Sequence, residues 1–390
     1  MLIEIALVSE QTLANVLPAL HERPDRVLLV ASAEMQRRGL HERQRRVLRH
    51  FDIDAQIVPD APDADLSAIQ SFAAALLARV QREHADARLV LNATGGNKLM
   101  VLGFVEAFRG QACIVYADTQ HQRIETLTVG GEAAAPQPMR DVLDVPDYLR
   151  AQGFVFESAR SDGDHEMIAA ARRKPAALHL GHRAQALRHF LGAMNRIASA
   201  ALDARGEQLV APSQRFLRVS HPDWREALKV FNGRDVLKWF GDEEIEFPDA
   251  AAARFCAGGW LEEYTWHCVI DARPFDARWS VTGRWEEGGA RNEFDVLVTH
   301  RNRLLFIECK TARHGADAER DDQRLYKIES LGRNARGLFG ETWFVTAREP
   351  TDAMRSRARE SRVRIVGPQE LPRLGALLRE WMGQAPDRRA

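Results

Sequence analysis

The stretch Asn292–Thr311, NEFDVLVTHRNRLLFIECKT, reads as a β-hairpin. EFDVLVT alternates acidic or polar side chains with apolar ones, His300-Arg301-Asn302-Arg303 makes the turn, and LLFIECK follows as a buried strand. A period of two places Glu308 and Lys310 on one face of the second strand and Ile307 and Cys309 on the other. Asp295 lies on the partner strand, so register can bring its carboxylate beside Glu308. Two converging carboxylates repel each other unless a divalent cation lies between them. Hard oxygen donors of this kind suit magnesium or manganese rather than zinc. A lysine beside them can hold an attacking water or stabilise a pentacovalent phosphorane.

The same letters would also serve an ordinary solvated strand pair. Lysine usage argues for chemistry. The chain has six lysines (98, 174, 229, 238, 310 and 327) among 54 basic residues, so arginine is its default cation. A lysine kept at position 310 points to a need for a compact ammonium.

Composition bounds the rest. At 390 residues the chain has room for two or three domains, and 45% hydrophobic with 28% charged residues is the balance of a soluble globular protein. No apolar run approaches the ~20 residues of a membrane helix. The N-terminal MLIEIALVSE has no basic region and carries a glutamate within its apolar run, which argues against a signal peptide. Cysteines 113, 256, 268 and 309 form no CxxC, so the expectation is a reduced, cytoplasmic protein without a disulfide framework or structural zinc. A net charge of −1 gives no whole-chain sign of nucleic-acid binding, so any such site must be local.

Residues 1–118 alternate strand and helix patterns. Strands are predicted at 2–8, 27–31, 55–58, 88–93 and 112–118, with helices at 11–21, 33–51, 65–85 and 97–109. This is an α/β pattern with a mostly parallel, Rossmann-like sheet covered on both faces. RIETLTV (123–129) adds a hairpin strand. The expected domains are 1–145, a linker and helical connecting region 146–247, and 248–390. In the last, residues 253–264 open a helix, a strand lies near 279–286, and the hairpin follows. A helix at 317–336, strands at TWFVT and VRIVG, and a terminal helix at 370–382 complete it.

Asp295, then Glu308-x-Lys310 across two strands, resembles the active site of the PD-(D/E)xK, restriction-endonuclease-like nucleases, and the order of elements from 248 onward matches that core. The resemblance implies a further glutamate on the first helix facing the metal. Gly258-x-x-x-Glu262 fits the family's spacing, so Glu262 is preferred to Glu263, although either could be a solvated acid at a helix N-terminus. Glu293 shares a face with Asp295 and is a candidate outer ligand. Phe294 stands where the family name has proline.

A second motif is LVLNATGGNKLMVLGFVEAF (89–108), a strand, a Gly-rich turn and a helix. Gly95 and Gly96 allow a tight turn and close approach to a ligand, and the amides opening the next helix favour anions. It is neither a Walker A loop nor GxGxxG. After the fourth strand it lies at the carboxyl edge where open α/β sheets bind ligands. Lys98 is the first lysine of the chain, and Ser9, Gln11 and Asn15 face the same crevice from the first loop.

Thr94-Gly95-Gly96-Asn97-Lys98 resembles the TGGTK loop of the CRISPR-associated Rossmann fold (CARF) domain, with asparagine for the usual threonine. LDVPDYLRAQGF, GGWLEEY, ECKT and DQRLYKIESLGRNARG resemble the family joining a CARF domain to a PD-(D/E)xK nuclease. That resemblance implies a homodimer that binds cyclic oligoadenylate, with cyclic tetra-adenylate favoured, through Ser9, Gln11 and Thr94–Lys98. It also implies cleavage of single-stranded DNA or RNA, or nicking of duplex DNA, in type III CRISPR defence, using Mn²⁺ or Mg²⁺ at Asp295, Glu308 and Glu262 with Lys310. Two other readings remain at this stage. One is a CARF-type regulator that binds nucleic acid without cutting. The other is a repair or restriction nuclease whose Rossmann-like domain is only a scaffold.

Overall fold

The computed structural model describes residues 1–127, 134–216, 221–241, 243–311, 326, 328–335, 337 and 340–384. They form two compact units, the first gathering residues 1–155 with 285–289 and Gly337, the second the remainder from Phe156 onward.

The first unit is built on β1 (Leu2–Leu7), β2 (Arg26–Ser32), β3 (Asp54–Ala61), β4 (Arg88–Asn92), β5 (Cys113–Asp118), β6 (Arg123–Leu127) and β7 (Gln137–Pro138). Their spatial order is β3-β2-β1-β4-β5-β6-β7. The first five are parallel and the last two pair antiparallel. The intervening helices are α1 (Leu13–Glu22), α2 (Ala33–Arg37), α3 (Leu40–His50), α4 (Leu66–Glu83) and α5 (Lys98–Phe108), with α6 (Val145–Ala151) closing the unit. Ile69, Ala73, Leu76, Leu77 and Val80 of α4 and Met100, Phe104 and Phe108 of α5 pack on the strand residues Ile3, Ile5, Leu28, Leu89 and Leu91. The single helix expected over 33–51 is two helices, because Gly39 takes φ 66° between them.

One buried carboxyl stands inside this core. Glu4 in β1 is fully buried; Asn92 Nδ2 donates to its Oε1 at 3.1 Å, and Oε2 has no partner among the described residues. Burial pushes the carboxyl up to about 8, against the lowering effect of the Asn92 bond and with help from Glu22. The folded state therefore holds a proton that the unfolded state releases above its ordinary value. The associated stability is complete below about pH 4.5 and is lost as pH rises through about 8. Glu4→Gln keeps the acceptor and cannot ionise. Its advantage in thermal unfolding over wild type is expected to grow between pH 5 and pH 9, reaching a few kcal/mol at most. A difference that stays flat with pH would contradict this.

The second unit carries β8 (Phe154–Ala159), β12 (Asp276–Trp285), β13 (Gly288–His300), β14 (Arg303–Lys310), β15 (Glu341–Thr346) and β16 (Val363–Val366), in the order β16-β15-β14-β13-β12-β8. β13 and β14 are antiparallel, and β14, β15 and β16 run parallel. Arg301 and Asn302, both at φ near 50°, form the two-residue turn between β13 and β14. Around the sheet lie α7 (Asp164–His182), α8 (Arg188–Ala200), α9 (Pro222–Phe231), α10 (Ala250–Arg254) and α11 (Trp260–Ala272). Then come α12 (Asp352–Glu360) and α13 (Leu374–Trp381). β9 (Ser213–Arg215), β10 (Lys238–Trp239) and β11 (Glu244–Glu246) make a small antiparallel sheet. Of the helix expected at 317–336, residues 326 and 328–335 are helical; residues 312–325, 327 and 336 lie outside the described residues.

The stretch 165–245, legible in sequence only as an accessory region, shares one core with the sheet. Leu180, Phe190, Phe231 and Ile245 belong to the same buried cluster as Tyr264, Val298, Leu305 and Trp343. Among the described residues no helix is long and apolar enough to cross a membrane. All four cysteines are free.

Candidate active site and ligand crevice

Strand pairing brings the hairpin's acidic residues together. The β13–β14 register runs from His300–Arg303 to Val296–Ile307. One step further, the Cys309 amide donates to Asp295 Oδ2 at 2.7 Å, so a side chain takes over where the described ladder stops. Lys310 Nζ lies 2.7 Å from Glu308 Oε1 and 3.6 Å from Asp295 Oδ2. Its ammonium thus bridges the two carboxylates whose repulsion the sequence implied. On the other face of β14, Cys309 Sγ donates to Thr265 Oγ1 at 3.4 Å and ties the strand to α11.

Helix α11 gives its two adjacent glutamates different surroundings. Residues 255–259 form a π turn with Gly258 at φ 143°, and α11 starts directly after it. Glu263 points away from the hairpin residues. It is buried in a bidentate pair with Arg173 of α7, at 2.6 to 3.1 Å. Glu262 is half-buried and feels the charges of Lys310, Glu293, Arg160 and Glu308. Burial first, then Glu293 and Glu308, push its carboxyl up to about 7, with Lys310 and Arg160 opposing. Asp295 is raised well above the carboxylate range by burial, then by Glu308 and Glu262. Burial works against the charged Lys310 ammonium, but Asp295 and Glu308 together outweigh it and hold it above its ordinary value. Glu293 is exposed and accepts from Ser280 Oγ at 2.7 Å. Among the described residues no three His, Cys, Asp or Glu side chains stand close enough together to hold a metal ion by themselves. The sequence reading missed Arg160 and Ser280, for which no motif exists, and Arg173, which stands 90 residues before its partner.

In the first unit, β1 and β4 are neighbours in the sheet, so the loops after them adjoin where the strand order turns back. Gly95 is buried: a Cβ there would run into Leu7 O and come within 2.7 Å of Asn15 Oδ1. Gly96 takes φ 74°, and a Cβ would meet the Leu7 side chain at 2.9 Å. These glycines are thus required by close packing on β1, whatever they offer a ligand. Thr94 N donates to Asn92 Oδ1 at 3.0 Å and Thr94 Oγ1 accepts from Ala117 N at 2.8 Å. Asn97 caps α5 by accepting from Met100 N at 2.9 Å and donates to Asp63 O at 2.8 Å. Both its polar atoms are therefore in use within the fold. Ser9 Oγ donates to Gln11 O at 3.4 Å, while Asn15 donates to Leu7 O at 2.8 Å and to Gln44 at 2.9 Å. The Lys98 side chain is exposed, with no partner among the described residues.

Both halves of the chain have known relatives. Residues 3–148 match the family described as the Card1 CARF domain, and residues 249–385 match the Card1-like endonuclease domain. No curated protein sequence matches significantly. In fold the chain is similar to protein VC1899 from Vibrio cholerae, with TM-score 0.81, 21% identity and 98% of each chain covered. It is also similar to Can2 from Sulfobacillus thermosulfidooxidans, solved in complex with cyclic tetra-adenylate, with TM-score 0.73, 22% identity and 98% and 99% covered. A third likeness, at TM-score 0.51 and 20% identity, is to a type III CRISPR defence DNA nuclease activated by cyclic oligoadenylate; it covers 88% of this chain and 45% of that one. At such identities the likeness is one of fold. The chain thus joins a Card1-type CARF domain, residues 3–148, to a Card1-like endonuclease domain, residues 249–385.

Proposed function

We propose that this chain is a metal-dependent endonuclease of type III CRISPR defence, switched on by a cyclic oligoadenylate. The observation that carries the reading is the junction of Asp295, Glu308 and Lys310 inside an endonuclease domain. Activation is supported by the CARF domain and by the two relatives in fold, one bound to cyclic tetra-adenylate and one activated by a cyclic oligoadenylate. Cyclic tetra-adenylate is the favoured activator, and the reaction is cleavage of single-stranded DNA or RNA, or nicking of duplex DNA. Since a two-fold ligand is best met by a two-fold protein, the working form is a homodimer.

In donor type the set suits Mg²⁺ or Mn²⁺, although among the described residues its three carboxylates do not stand close enough together to hold the ion without a shift. Its oxygens are hard, and burial together with mutual repulsion leaves the Asp295 and Glu262 carboxyls short of positive charge. Asp295 and Glu308 would hold the ion with Glu262 assisting; when bound, it would polarise the phosphodiester and lower the pKa of water. Lys310 orients the attacking water and offers its ammonium to the phosphoryl oxygens as charge builds in the transition state. The Cys309 amide holds Asp295 in place through its hydrogen bond. The deciding assay sets four substrates (single- and double-stranded DNA and RNA) against each ring size, with and without Mn²⁺. Full cutting without any ligand would favour a scaffold nuclease. Ligand-dependent binding without cutting would favour a regulator.

At the crevice, Gly95 and Gly96 amides and Lys98 contact the ligand in this reading, with Ser9 and Gln11 holding base or ribose. Thr94 and Asn97, whose side chains already serve the loop, contribute chiefly through its shape. A ligand switches the enzyme only by binding the active arrangement more tightly than the resting one. Lys98→Ala is therefore expected to raise the half-activating concentration about tenfold or more, as hydrogen bonds to charged groups are worth about 1.5–3 kcal/mol. The maximal rate at saturation should stay unchanged. An activation curve overlaying that of wild type would remove the loop from the sensor.

A further inference from the structure

Arg160 opens the 3₁₀ turn Arg160–Asp162 directly after β8, the strand flanking β12. Its guanidinium carbon lies 4.7 Å from the centroid of the Trp279 ring, a typical cation–π distance. Trp279 in β12 is fully buried, its ring stacked on Trp266 of α11 at 6.2 Å and its amide donating to Ser161 Oγ at 3.1 Å. The platform under Arg160 is therefore rigid. Nearby arginines are paired: Arg278 with Asp162 and Asp276, and Arg284 and Arg291 both with Glu157. Arg160 is half-buried, and its guanidinium makes no hydrogen bond or ion pair among the described residues.

Its surroundings suggest what completes it. Trp266, on which Trp279 stacks, lies one turn after Glu262 on α11, and Ser280, the residue after Trp279, donates its hydroxyl to Glu293 at 2.7 Å, so the platform under Arg160 adjoins the acidic cluster. In the proposed reading the ion and the Lys310 ammonium, which stands between Asp295 and Glu308, both serve the phosphate that is cut. A nucleic acid entering here needs another cation for its backbone. Stacking on Trp279 orients the guanidinium and leaves its five N–H donors without a partner among the described residues. That fork matches phosphate oxygens in pairs.

We propose that Arg160 is a substrate-binding residue of the endonuclease site, taking a backbone phosphate next to the one that is cut. The inference rests on the reading of Asp295, Glu308 and Lys310 as the cutting site. Its test uses the full chain with saturating cyclic tetra-adenylate and a 5′-labelled single-stranded oligodeoxynucleotide. Binding is followed by anisotropy in Ca²⁺ over a salt series, and cleavage in Mn²⁺. Arg160→Ala is expected to weaken binding about tenfold and to reduce the slope of log K against log salt by about 0.7, the value of one lost contact to a single strand. Arg160→Lys should restore the slope and only part of the affinity, because the charge returns without the fork. A salt slope unchanged in Arg160→Ala, at whatever affinity, would reduce Arg160 to a structural cover for Trp279 and overturn the proposal. If the slope falls as expected yet wild type cuts nothing, Arg160 stands as a phosphate contact and the nuclease reading fails.

Discussion

Asp295→Asn and Glu308→Gln are each expected to lower the cleavage rate by about a thousandfold or more, equivalent to about 4 kcal/mol of transition-state stabilisation. Activator binding should be unchanged, because the two carboxylates lie in the endonuclease domain and the crevice loop in the CARF domain. At Asp295 the amide variant is the informative one. Its side-chain carbonyl would still present an oxygen to the Cys309 amide, whereas alanine would leave that buried N–H without its partner and confuse a folding defect with a catalytic one. The measurement is single-turnover cleavage at saturating activator and Mn²⁺, with activator titration and thermal unfolding alongside. Wild-type rates in both variants would remove this site from the chemistry. Loss of activator binding in step with loss of cutting would point to misfolding instead.

Lys310→Arg should be nearly as damaging as Lys310→Ala, each costing about a hundredfold in rate, or ~2.7 kcal/mol. The ammonium sits 2.7 Å from one carboxylate and 3.6 Å from the other, a space that a point charge fills. A guanidinium is planar and larger and spreads its charge, so it cannot bridge the pair and reach a phosphoryl oxygen from the same position. Alanine removes the charge outright and leaves Asp295 and Glu308 facing each other uncompensated. That should push Asp295, already raised by burial and by Glu308, further up. An arginine variant with near-normal kcat would show that the lysine is incidental.

The hairpin is where sequence was most informative. A period of two, a polar four-residue turn and three charged side chains at matching positions leave few registers that keep the apolar face buried. The observed pairing of Val296 with Ile307 is the one that sets Asp295 against the Cys309 amide and Lys310 against both acids. The parallel strands of the first unit were legible for a similar reason. They are buried on both faces, so each reads as a short apolar run between amphipathic helices.

Other features depended on partners distant in the chain. Glu262 and Glu263 are adjacent and chemically identical, and a helix turned by one residue would point Glu263 where Glu262 now points. The π turn at 255–259 and the pull of Arg173 set that phase, and neither is visible in a spacing pattern. That Asn97 also caps α5 and bonds the Asp63 carbonyl was not legible either, because the second partner lies 34 positions away. Arg160 carries no motif, because its setting is made by Trp279, Trp266 and Glu262, each more than 100 positions away. The sequence by itself determined which elements form and which faces they bury, since periodicity and turn chemistry act over a few residues. Only the tertiary structure decided which charges meet, because a carboxylate's direction and neutrality depend on the field and burial supplied by side chains from remote parts of the chain.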